Sequence, residues 1–394
     1  MPEVLVIGAG LAGLACALRL CEAGVDVALH EASDAVGGRI RTDAVDGLLL
    51  DRGFQVHNTG YPEAQRVLDH KALDLQDFTP GALVRYGASL HRLADPRRKP
   101  AWALSTALSP IGSLKDKAAV AALAARAALT PVPRLLDAPE TTTYDALRSR
   151  GLSDTIIDRF LRPLLSGVFL ETDLSTSSHL FDMVWRSFVR GTQCLPAGGM
   201  QAMPEQLAAR LPDGVLHLSS PRTALPSGKA VVVATGGRAA ADLLGTAVPA
   251  FRGVTTHYHL ADTPVPTGKA IVLDGEGGGP VANSVVLSNV APTYAPGRVL
   301  VSSSVVTGDA SEPAVRAHLS RLYGVDTARW QHVRAYEVPD ALPSMAPPLG
   351  RLRKPVLVRD GVFVCGDHRD TASIQGALVS GRRAATAVLS SLGR

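Results

Sequence analysis

Apolar residues near the start of the chain change their spacing twice between residues 4 and 30. Residues 4–7 form an unbroken apolar run, which is typical of a strand buried on both faces of a parallel sheet. A longer stretch, mostly Leu, Ala and Cys, extends to Gly24 and predicts an apolar helix. Residues 25–30 predict a second buried strand. We therefore expect residues 3–31 to form a strand–helix–strand unit.

The turn between this first strand and the helix, residues 8–13, contains three glycines, each with a physical role. Gly8 permits a tight turn, Gly10 lets the backbone approach a pyrophosphate, and Gly13 lets helix and strand pack closely. The helix N-terminus offers unpaired N–H groups and a partial positive charge to phosphates. Glu31, at the end of the second strand, is placed to accept hydrogen bonds from ribose hydroxyls. The pattern predicts a dinucleotide site.

The middle of the chain has a mostly helical pattern. This region spans residues 61–188 and includes an Ala-rich helix at 113–129 and a helix with Thr or Asp caps at 141–150. A Pro- and Gly-containing break at 195–200 precedes an amphipathic helix at 201–211.

Strands are predicted on both sides of the helical region. The segments are residues 48–50, 215–218, 230–234, 255–260, 270–273, 281–288, 299–306 and 362–365. Alternation and turn residues favour an antiparallel sheet for the four segments between residues 255 and 306. The last strand leads through Gly366 and Asp367 to a helix that starts near residues 376–377.

Composition favours a folded enzyme-sized chain over a nucleic-acid-binding one. Hydrophobic residues make up 46% and charged residues 19% of the 394 positions, so a packed core is expected. The net charge of +4 arises from 40 basic and 36 acidic residues, a balance that gives no argument for nucleic acid as a partner.

The cysteines indicate a reducing compartment, and the lengths of the apolar runs bear on whether the chain crosses a membrane. Cys16, Cys21, Cys194 and Cys365 form no CxxC pair, which favours reduced core thiols over disulfides or metal ligands. We predict no metal site. The first strand begins at residue 4 and no run of 18 apolar residues occurs, so we expect a cytoplasmic protein without a transmembrane segment. Peripheral contact with a membrane and the oligomeric state stay open.

Two further segments have structural interpretations. The Pro- and Arg-rich residues 95–100 favour a solvated turn over a membrane- or anion-binding patch. Phe181, Trp185 and Phe188 have the spacing of one buried helix face, which favours a core role over contact with a substrate.

A second set of motifs suits the binding of phosphate and of a planar ring. Gly37 and Gly38 allow a loop to fold under a cofactor, and Arg39 supplies a fork of donors for phosphate oxygens. After the last strand, Asp367 could accept a hydrogen bond from a ribityl hydroxyl. The small-residue helix start near Gly376 could direct its dipole at a flavin, near N1 and C2=O. A plain strand-to-helix turn is the alternative for this last segment.

Together these motifs resemble a superfamily of FAD-dependent oxidoreductases. It is the superfamily of the flavin-containing amine oxidases, protoporphyrinogen oxidases and phytoene desaturases. The resemblance extends over the whole chain and rests on residues 4–13 with Glu31, 37–39, 198–200, 231–235, 365–367, 373–377 and 380–382.

The resemblance implies an α/β fold of two interleaved domains. A Rossmann-like FAD-binding domain of the glutathione-reductase type is expected from residues 1–60, 195–248 and 346–394. An α+β substrate domain is expected from residues 61–194 and 249–345.

The resemblance also implies noncovalent FAD, because no cysteine stands where the family forms a covalent flavin link. The residues expected to bind this cofactor are Gly8, Gly10, Leu11, Ala12, Gly13, Glu31, Ala32, Gly38, Arg39, Arg222, Thr235, Gly366, Asp367, Ile374, Gly376 and Ala377.

The chain departs from the family pattern in two places. The family's β-hairpin falls within residues 215–231, a segment that is unusually short here, and residues 219–222 stand where the adenine contact would fall, with Arg222 or Thr223 as the candidates for it. The amine oxidases proper carry a lysine that holds a water near flavin N5, whereas residues 254–259 contain no lysine. The second departure weakens the interpretation as an amine oxidase.

Residues for acid–base catalysis are not evident. His57, His257 and His259 are weak candidates for the wall of a substrate cavity, and the last two share one face of a strand with Tyr258 opposite. The catalytic residues are otherwise unknown. Hydride transfer assisted by positioning therefore suits the sequence better than chemistry driven by a base.

The leading hypothesis is an FAD enzyme that takes a hydride from a C–H or C–N bond of a small, apolar substrate onto flavin N5. Isoprenoids and porphyrinogen-like molecules are suggested by the resemblance. The electron acceptor is open between oxygen, a quinone and other carriers. One alternative is a redox-neutral, flavin-dependent isomerase or mutase. Another is a prenyl-binding escort protein that shares the fold without FAD chemistry.

Overall fold

The computed structural model describes residues 2–226 and 230–394. Residue 1 and residues 227–229, which fall inside the predicted FAD-binding segments, lie outside the described residues. The strands are β1 (Val4–Ile7), β2 (Val27–His30), β3 (Thr42–Val45), β4 (Leu48–Asp51), β5 (His57–Asn58), β6 (Leu75–Asp77), β7 (Gly81–Tyr86), β8 (Ser89–Ala94), β9 (Gln193–Pro196), β10 (Leu216–His217), β11 (Ala230–Val233), β12 (Phe251–Ala261), β13 (Ile271–Asp274), β14 (Val281–Val286), β15 (Val299–Val305), β16 (Gln331–Pro343), β17 (Leu357–Arg359) and β18 (Val362–Val364).

Most α-helices lie between the strands of the two main sheets or follow the last of them. They are α1 (Leu11–Glu22), α2 (Pro62–Val67), α3 (Ala103–Leu108), α4 (Leu114–Leu129), α5 (Val132–Leu136), α6 (Thr143–Ser149), α7 (Asp154–Ile156), α8 (Arg162–Phe169), α9 (Ser178–Arg190), α10 (Ala202–Ala208), α11 (Gly237–Leu244), α12 (Leu287–Val290), α13 (Glu312–Tyr323) and α14 (Ile374–Ser391).

A six-stranded sheet contains the predicted strand–helix–strand unit. Its order is β10-β2-β1-β11-β18-β17, and all neighbours are parallel except β17 and β18. β1 is buried along its whole length, with Val4 opposite Val27 on one side and Ala230 on the other. Because β1 has partners on both sides and is buried, its residues are apolar without alternation, as the sequence predicts.

α1 and α14 pack directly against each other. A Cβ at Gly381 of α14 would collide with the carbonyl oxygen of Ala12 in α1. Only glycine allows this close approach of the two helices. The contact holds α14 beside the helix that follows the Gly8 turn.

A seven-stranded sheet corrects part of the sequence prediction. Its order is β16-β12-β15-β14-β13-β7-β8. The four predicted strands between residues 255 and 306 are antiparallel neighbours as expected, but β13 also pairs in parallel with β7, which brings Val272 opposite Leu83. β7 and β8 lie in the region predicted to be mostly helical. They form a hairpin whose turn includes Gly87, at φ +58°.

A buried carboxylate joins four separate segments. Asp51, at the end of β4, accepts hydrogen bonds from Thr42 Oγ1 (2.5 Å), the Met200 N–H (3.0 Å) and the Tyr294 hydroxyl (2.9 Å). The Tyr258 hydroxyl donates to the backbone oxygen of Asp51 at 2.7 Å. Burial raises the pKa of the Asp51 carboxyl to about 6, against an ordinary 3.8.

The four cysteines are free thiols, three buried and one half-buried, as predicted. Within residues 2–226 and 230–394, no helix has the length and the apolar content needed to cross a membrane.

Candidate active site

One large cavity connects the glycine turn after β1 with the apolar interior beside the seven-stranded sheet. Its volume is about 980 Å³. At one end it is lined by Gly8, Gly10 and Glu31, and at the other by apolar side chains of α8 and α9. Such a cavity can enclose both a nucleotide cofactor and a substrate.

The three glycines of the first turn have different surroundings. Gly8 has φ +105°, and a Cβ there would lie 2.8 Å from the Ala234 carbonyl oxygen. A Cβ at Gly13 would collide with the carbonyl oxygen of Gly8. A Cβ at Gly10 would meet no atom of the described residues within 4 Å, so this position faces open space. Gly8 and Gly13 are therefore required by the fold, whereas Gly10 leaves room beside the N-terminus of α1.

Glu31 follows β2 directly and is held by local donors. Its carboxylate accepts hydrogen bonds from the Ala9 N–H (2.7 Å), the Ser33 N–H (3.0 Å) and the Ser33 hydroxyl (2.7 Å). A carboxylate has about four acceptor positions, so one stays available to a hydroxyl in the cavity. The backbone donor from Ala9 fixes the carboxylate against the glycine turn.

The short connection after β10 also reaches this end of the cavity. Ser220, Arg222 and Thr223 line it together with His30. The Arg222 guanidinium lies 3.1 Å from His30 Nε2, and the Ser220 hydroxyl lies 2.8 Å from His30 Nδ1. Burial and the charge of Arg222 lower the pKa of His30, which keeps the imidazole neutral at pH 7. His30 was not predicted as a site residue.

An ion pair in the cavity wall links two motifs that are 328 residues apart in sequence. Arg39 donates from Nη2 to Asp367 Oδ1 at 2.6 Å and from Nη1 to the Ala341 carbonyl oxygen at 2.9 Å. Both Arg39 and Asp367 line the cavity, and Asp367 is 5% exposed. Part of the donor capacity of Arg39, predicted for phosphate oxygens, is therefore used by Asp367.

α14 starts two residues before the position predicted from the sequence. Its first residue is Ile374, and the hydroxyl of Ser373 caps it by accepting from the Gly376 N–H at 3.1 Å. Ser373, Ile374 and Ala377 line the cavity. The positive end of the helix dipole is thus at the cavity wall, as the prediction required.

The other end of the cavity is apolar. In the described parts of residues 61–194 and 249–345, no Asp, Glu, Lys, Arg or His lines it. Tyr61 is the ionisable residue there, and burial raises the pKa of its hydroxyl to about 12. The apolar wall consists of Phe78, Ala82, Phe160, Leu164, Val168, Phe169, Leu170, Val184, Phe188, Val254, Ile271, Val338 and Leu342.

Four neutral amides interrupt the apolar wall: Gln55, Asn58, Gln193 and Asn283. Each has one buried polar atom that finds no hydrogen-bond partner in the described part of the chain. Asn58 and Gln193 are directly opposite each other on β5 and β9. Asn58 is oriented because its Oδ1 accepts from the Gly60 N–H at 2.7 Å. Unsatisfied buried amides are costly, and their concentration here indicates a ligand with neutral polar groups.

The predicted histidines are in other places. None of His57, His257 and His259 is among the described residues that line the cavity, so their prediction as cavity-wall residues is wrong. His57 Nε2 lies 3.2 Å from His70 Nε2, and His257 Nε2 donates to the Ala310 carbonyl oxygen at 2.9 Å.

His259 Nε2 contacts Glu312 Oε1 at 3.1 Å. Burial lowers the pKa of His57 and His259 to about 4. Sequence periodicity placed His257 and His259 correctly on one strand face, but that face packs toward α13 and β16.

Most predicted cofactor residues do line the cavity. Gly13 and Gly376 do not, since each is packed against backbone: a Cβ at Gly376 would collide with the Thr371 carbonyl oxygen. Phe188, interpreted as a core residue, lines the cavity. The predicted residues in the wall are Gly8, Gly10, Leu11, Ala12, Glu31, Ala32, Gly38, Arg39, Arg222, Thr235, Gly366, Asp367, Ile374 and Ala377.

The parallel sheet, the glycine turn and the terminal acid define a nucleotide-binding α/β protein. The chain belongs to the family of flavin-containing amine oxidoreductases, whose family model matches residues 11–389. The family implies a flavin cofactor, and its relatives indicate a flavin-dependent oxidoreductase.

Relatives in sequence have diverse activities. The chain is 29% identical to hydroxysqualene dehydroxylase of Rhodopseudomonas palustris, over 98% of this chain and 97% of that protein. It is 25% identical to protoporphyrinogen oxidase 2 of Arabidopsis thaliana over 55% of this chain and 49% of that protein. It is 30% identical to carotenoid phi-ring synthase of Streptomyces griseus over 51% of this chain and 38% of that protein. The last two matches span half or less of those relatives.

Solved structures show the same fold. Cyclohexylamine oxidase from Brevibacterium oxydans superposes with a TM-score of 0.70 at 16% identity, over 100% of both chains. Reduced UDP-galactopyranose mutase superposes with a TM-score of 0.67 at 16% identity, over 99% of this chain and 96% of that one. At these identities the likeness shows the α/β fold alone.

Proposed function

We propose that the chain binds FAD noncovalently and transfers a hydride from a C–H or C–N bond of a small, apolar, uncharged substrate to flavin N5. The observation that carries the proposal is one continuous cavity, which joins the glycine turn after β1 to a wall that has no charged side chain from residues 61–194 and 249–345. The two-domain division and the predicted cofactor residues that line the cavity are parts of the same proposal.

The described residues fit FAD. Open space at Gly10, beside the N-terminus of α1, suits a pyrophosphate, and Glu31 suits the adenosine ribose. Gly38 lies beside Gly10, since a Cβ at Gly38 would have the Gly10 Cα as its nearest neighbour, at 3.7 Å. Asp367 and the start of α14 suit the ribityl chain and the ring.

Noncovalent binding is supported by the state of Cys365. This thiol immediately precedes Gly366 and is fully buried. Burial raises its pKa to about 12, so it is protonated at pH 7 and is a poor nucleophile.

Bound FAD supplies a two-electron acceptor at N5. The chain's own groups would supply position and surroundings. The first turn of α14 presents partial positive charge to the cavity, which stabilises negative charge near it. The apolar wall excludes water. The substrate end offers no group to remove a proton, because Tyr61 is protonated at pH 7. Positioning against the ring is thus the main contribution of the protein.

The wall favours a neutral substrate over an amine. An ammonium ion in an apolar chamber needs a carboxylate partner, and the described wall of the substrate end has none. Val254 lines the cavity in the stretch where the amine oxidases proper carry their lysine. One relative, matched over 97% of its own length, is a hydroxysqualene dehydroxylase. A small apolar molecule with a hydroxyl suits both the wall and the amides at Asn58 and Asn283.

Anaerobic mixing of the purified protein tests the proposal. The protein should be yellow and release FAD on denaturation, and an isoprenoid or a porphyrinogen should bleach the flavin while a polyamine does not. Bleaching by the polyamine alone would overturn the apolar-substrate proposal. After bleaching by an apolar substrate, oxygen and a quinone would be compared as acceptors of the electrons from the reduced flavin.

Two other outcomes identify the alternatives. Turnover that needs flavin reduced beforehand, without net oxidation, would indicate an isomerase or mutase. Colourless protein that cannot be reconstituted with FAD would indicate an escort protein.

A further inference from the structure

The four most exposed large hydrophobic side chains of the described chain all lie in α3 and α4. They are Leu104, Leu108, Leu114 and Leu129, at 71%, 75%, 70% and 81% exposure. The next most exposed is Leu357, at 52%. Single exposed leucines are ordinary, but four concentrated within residues 103–129 form an apolar surface without a partner. We call this surface the leucine face.

The solvent side of α4 carries no charge along its centre. Leu114, Ala118, Ala121, Ala122 and Leu129 are exposed and have the spacing of one helix stripe. A helix at a water-facing surface normally presents charged or polar residues there. Because the exposed stripe of α4 lacks such residues, we expect it to contact an apolar partner.

Basic residues flank the leucine face. Residues 95–134 contain seven Lys or Arg and two Asp, so this segment has a net charge of +5, compared with +4 for the whole chain. Asp116 is buried as a cap, where it accepts from the Ser113 hydroxyl at 2.7 Å. Lys115 and Arg134 are exposed and form no ion pair or hydrogen bond with the side chains and backbone that the structure describes.

We propose that the leucine face docks on an anionic lipid bilayer. The leucines would enter the boundary between headgroups and acyl chains, and Lys115 and Arg134 would contact anionic headgroups. Apolar residues backed by unpaired positive charge match such a surface. The charge complementarity favours lipid over a second copy, which would bring these same positive residues close to one another.

The position of α4 connects this surface with the cavity. Arg186 of α9 donates to the Ala127 and Thr130 carbonyl oxygens at the end of α4, at 2.6 and 2.8 Å. On the same helix, Val184 and Phe188 line the apolar end of the cavity. One helix therefore separates the proposed bilayer contact from the apolar chamber. The docking proposal does not depend on which reaction the chamber carries out.

Co-sedimentation with vesicles tests the proposal. The full chain should sediment with vesicles of phosphatidylcholine and phosphatidylglycerol, and less with phosphatidylcholine alone. Replacing the four leucines by serine should weaken binding by at least about tenfold, since apolar insertion is lost. Lys115→Gln and Arg134→Gln should each weaken binding to the anionic vesicles by about fivefold, and salt should remove this difference.

The matched control replaces Leu357 and Val248, which are exposed elsewhere at 52% and 43%. Leu357→Ser with Val248→Ser should leave vesicle binding unchanged. Equal binding by the control and the four-leucine variant would overturn the proposal. So would a concentration-dependent dimer that the four-leucine variant abolishes, because a second copy would then be the occupant. Circular dichroism would establish that all variants are folded.

Discussion

Gly10 and Gly13 are three positions apart and meet opposite surroundings. Gly10 has φ −74° and ψ 177°, a backbone conformation that alanine adopts freely, and its missing side chain faces open space. Gly13 lies inside α1, where a Cβ would collide with backbone. The fold therefore requires glycine at position 13, whereas the open space at Gly10 is available for the proposed contact with a phosphate.

We predict that Gly10→Ala leaves the apoprotein as stable as the wild type but weakens FAD binding by at least about tenfold, because the methyl group occupies the space of the phosphates. Gly13→Ala should destabilise the apoprotein by about 2 kcal/mol or more, because the backbone of α1 and the turn must separate. Urea unfolding of the apoprotein and FAD titration by fluorescence measure the two effects. Equal destabilisation by both substitutions would contradict the assignment.

The first glycine turn could be predicted because all its determinants are local. A strand, a turn and a helix N-terminus within residues 4–13 place Gly10 with no information from the rest of the chain. His259 could not be placed in this way. Periodicity gives the strand face on which it lies, but only the pairing of β12 with β16 decides what that face meets. The amides at Asn58 and Asn283 carry no local signal at all.

At the scale of elements, Asp51 holds β4 against the turn at Met200 and against Tyr294. Its carboxyl is buried and its pKa is raised to about 6. The folded state therefore binds this proton more tightly than the unfolded state, whose carboxyl titrates near 3.8. Between these two values stability falls as pH rises, because the unfolded state releases the proton first.

We predict that wild-type stability, measured relative to Asp51→Asn, falls by about 2 kcal/mol as pH rises from 4 to 7. Asparagine keeps an oxygen for Thr42 and Met200 and does not ionise. Urea unfolding of both apoproteins across this range is the measurement. Asp213→Asn, at an exposed position, should follow the wild type. A stability difference between the wild type and Asp51→Asn that stays constant with pH would contradict the raised pKa of Asp51.

Elements with local end signals were predicted well. α4 begins after Ser113, whose hydroxyl and Asp116 form a capping box, and the sequence placed this helix at residues 113–129. The hairpin of β7 and β8 was missed. It lies within a helical region, and β7 is stabilised by pairing with β13, about 190 residues away. That contact has no counterpart in the local pattern.

At the scale of the molecule, three distant stretches of the cavity wall carry the predicted cofactor contacts: residues 8–12, 30–40 and 366–377. We predict that FAD slows amide hydrogen exchange in all three, whereas ADP slows it only in the first two, because ADP lacks the ring and ribityl chain. Exchange measured by mass spectrometry on apoprotein with either ligand tests this. Equal protection of residues 366–377 by ADP would contradict the proposed direction of FAD.

The parallel character of the six-stranded sheet was within reach of the sequence, since unbroken apolar runs such as residues 4–7 and 230–234 are typical of buried parallel strands. The mixed seven-stranded sheet was not. Its parallel pair depends on where the chain returns after the helical region, and that path is decided by the packing of α8 and α9 rather than by any short segment.

The meeting of α1 and α14 has a consequence for biosynthesis. A nascent polypeptide displays its glycine turn within the first dozen residues, yet the opposite wall of the same cavity does not exist until residue 377 has left the ribosome. Coenzyme captured earlier would be gripped at its adenosine end only. With FAD as the proposed coenzyme, contact with both ends of the cavity therefore waits until residue 377 has been translated.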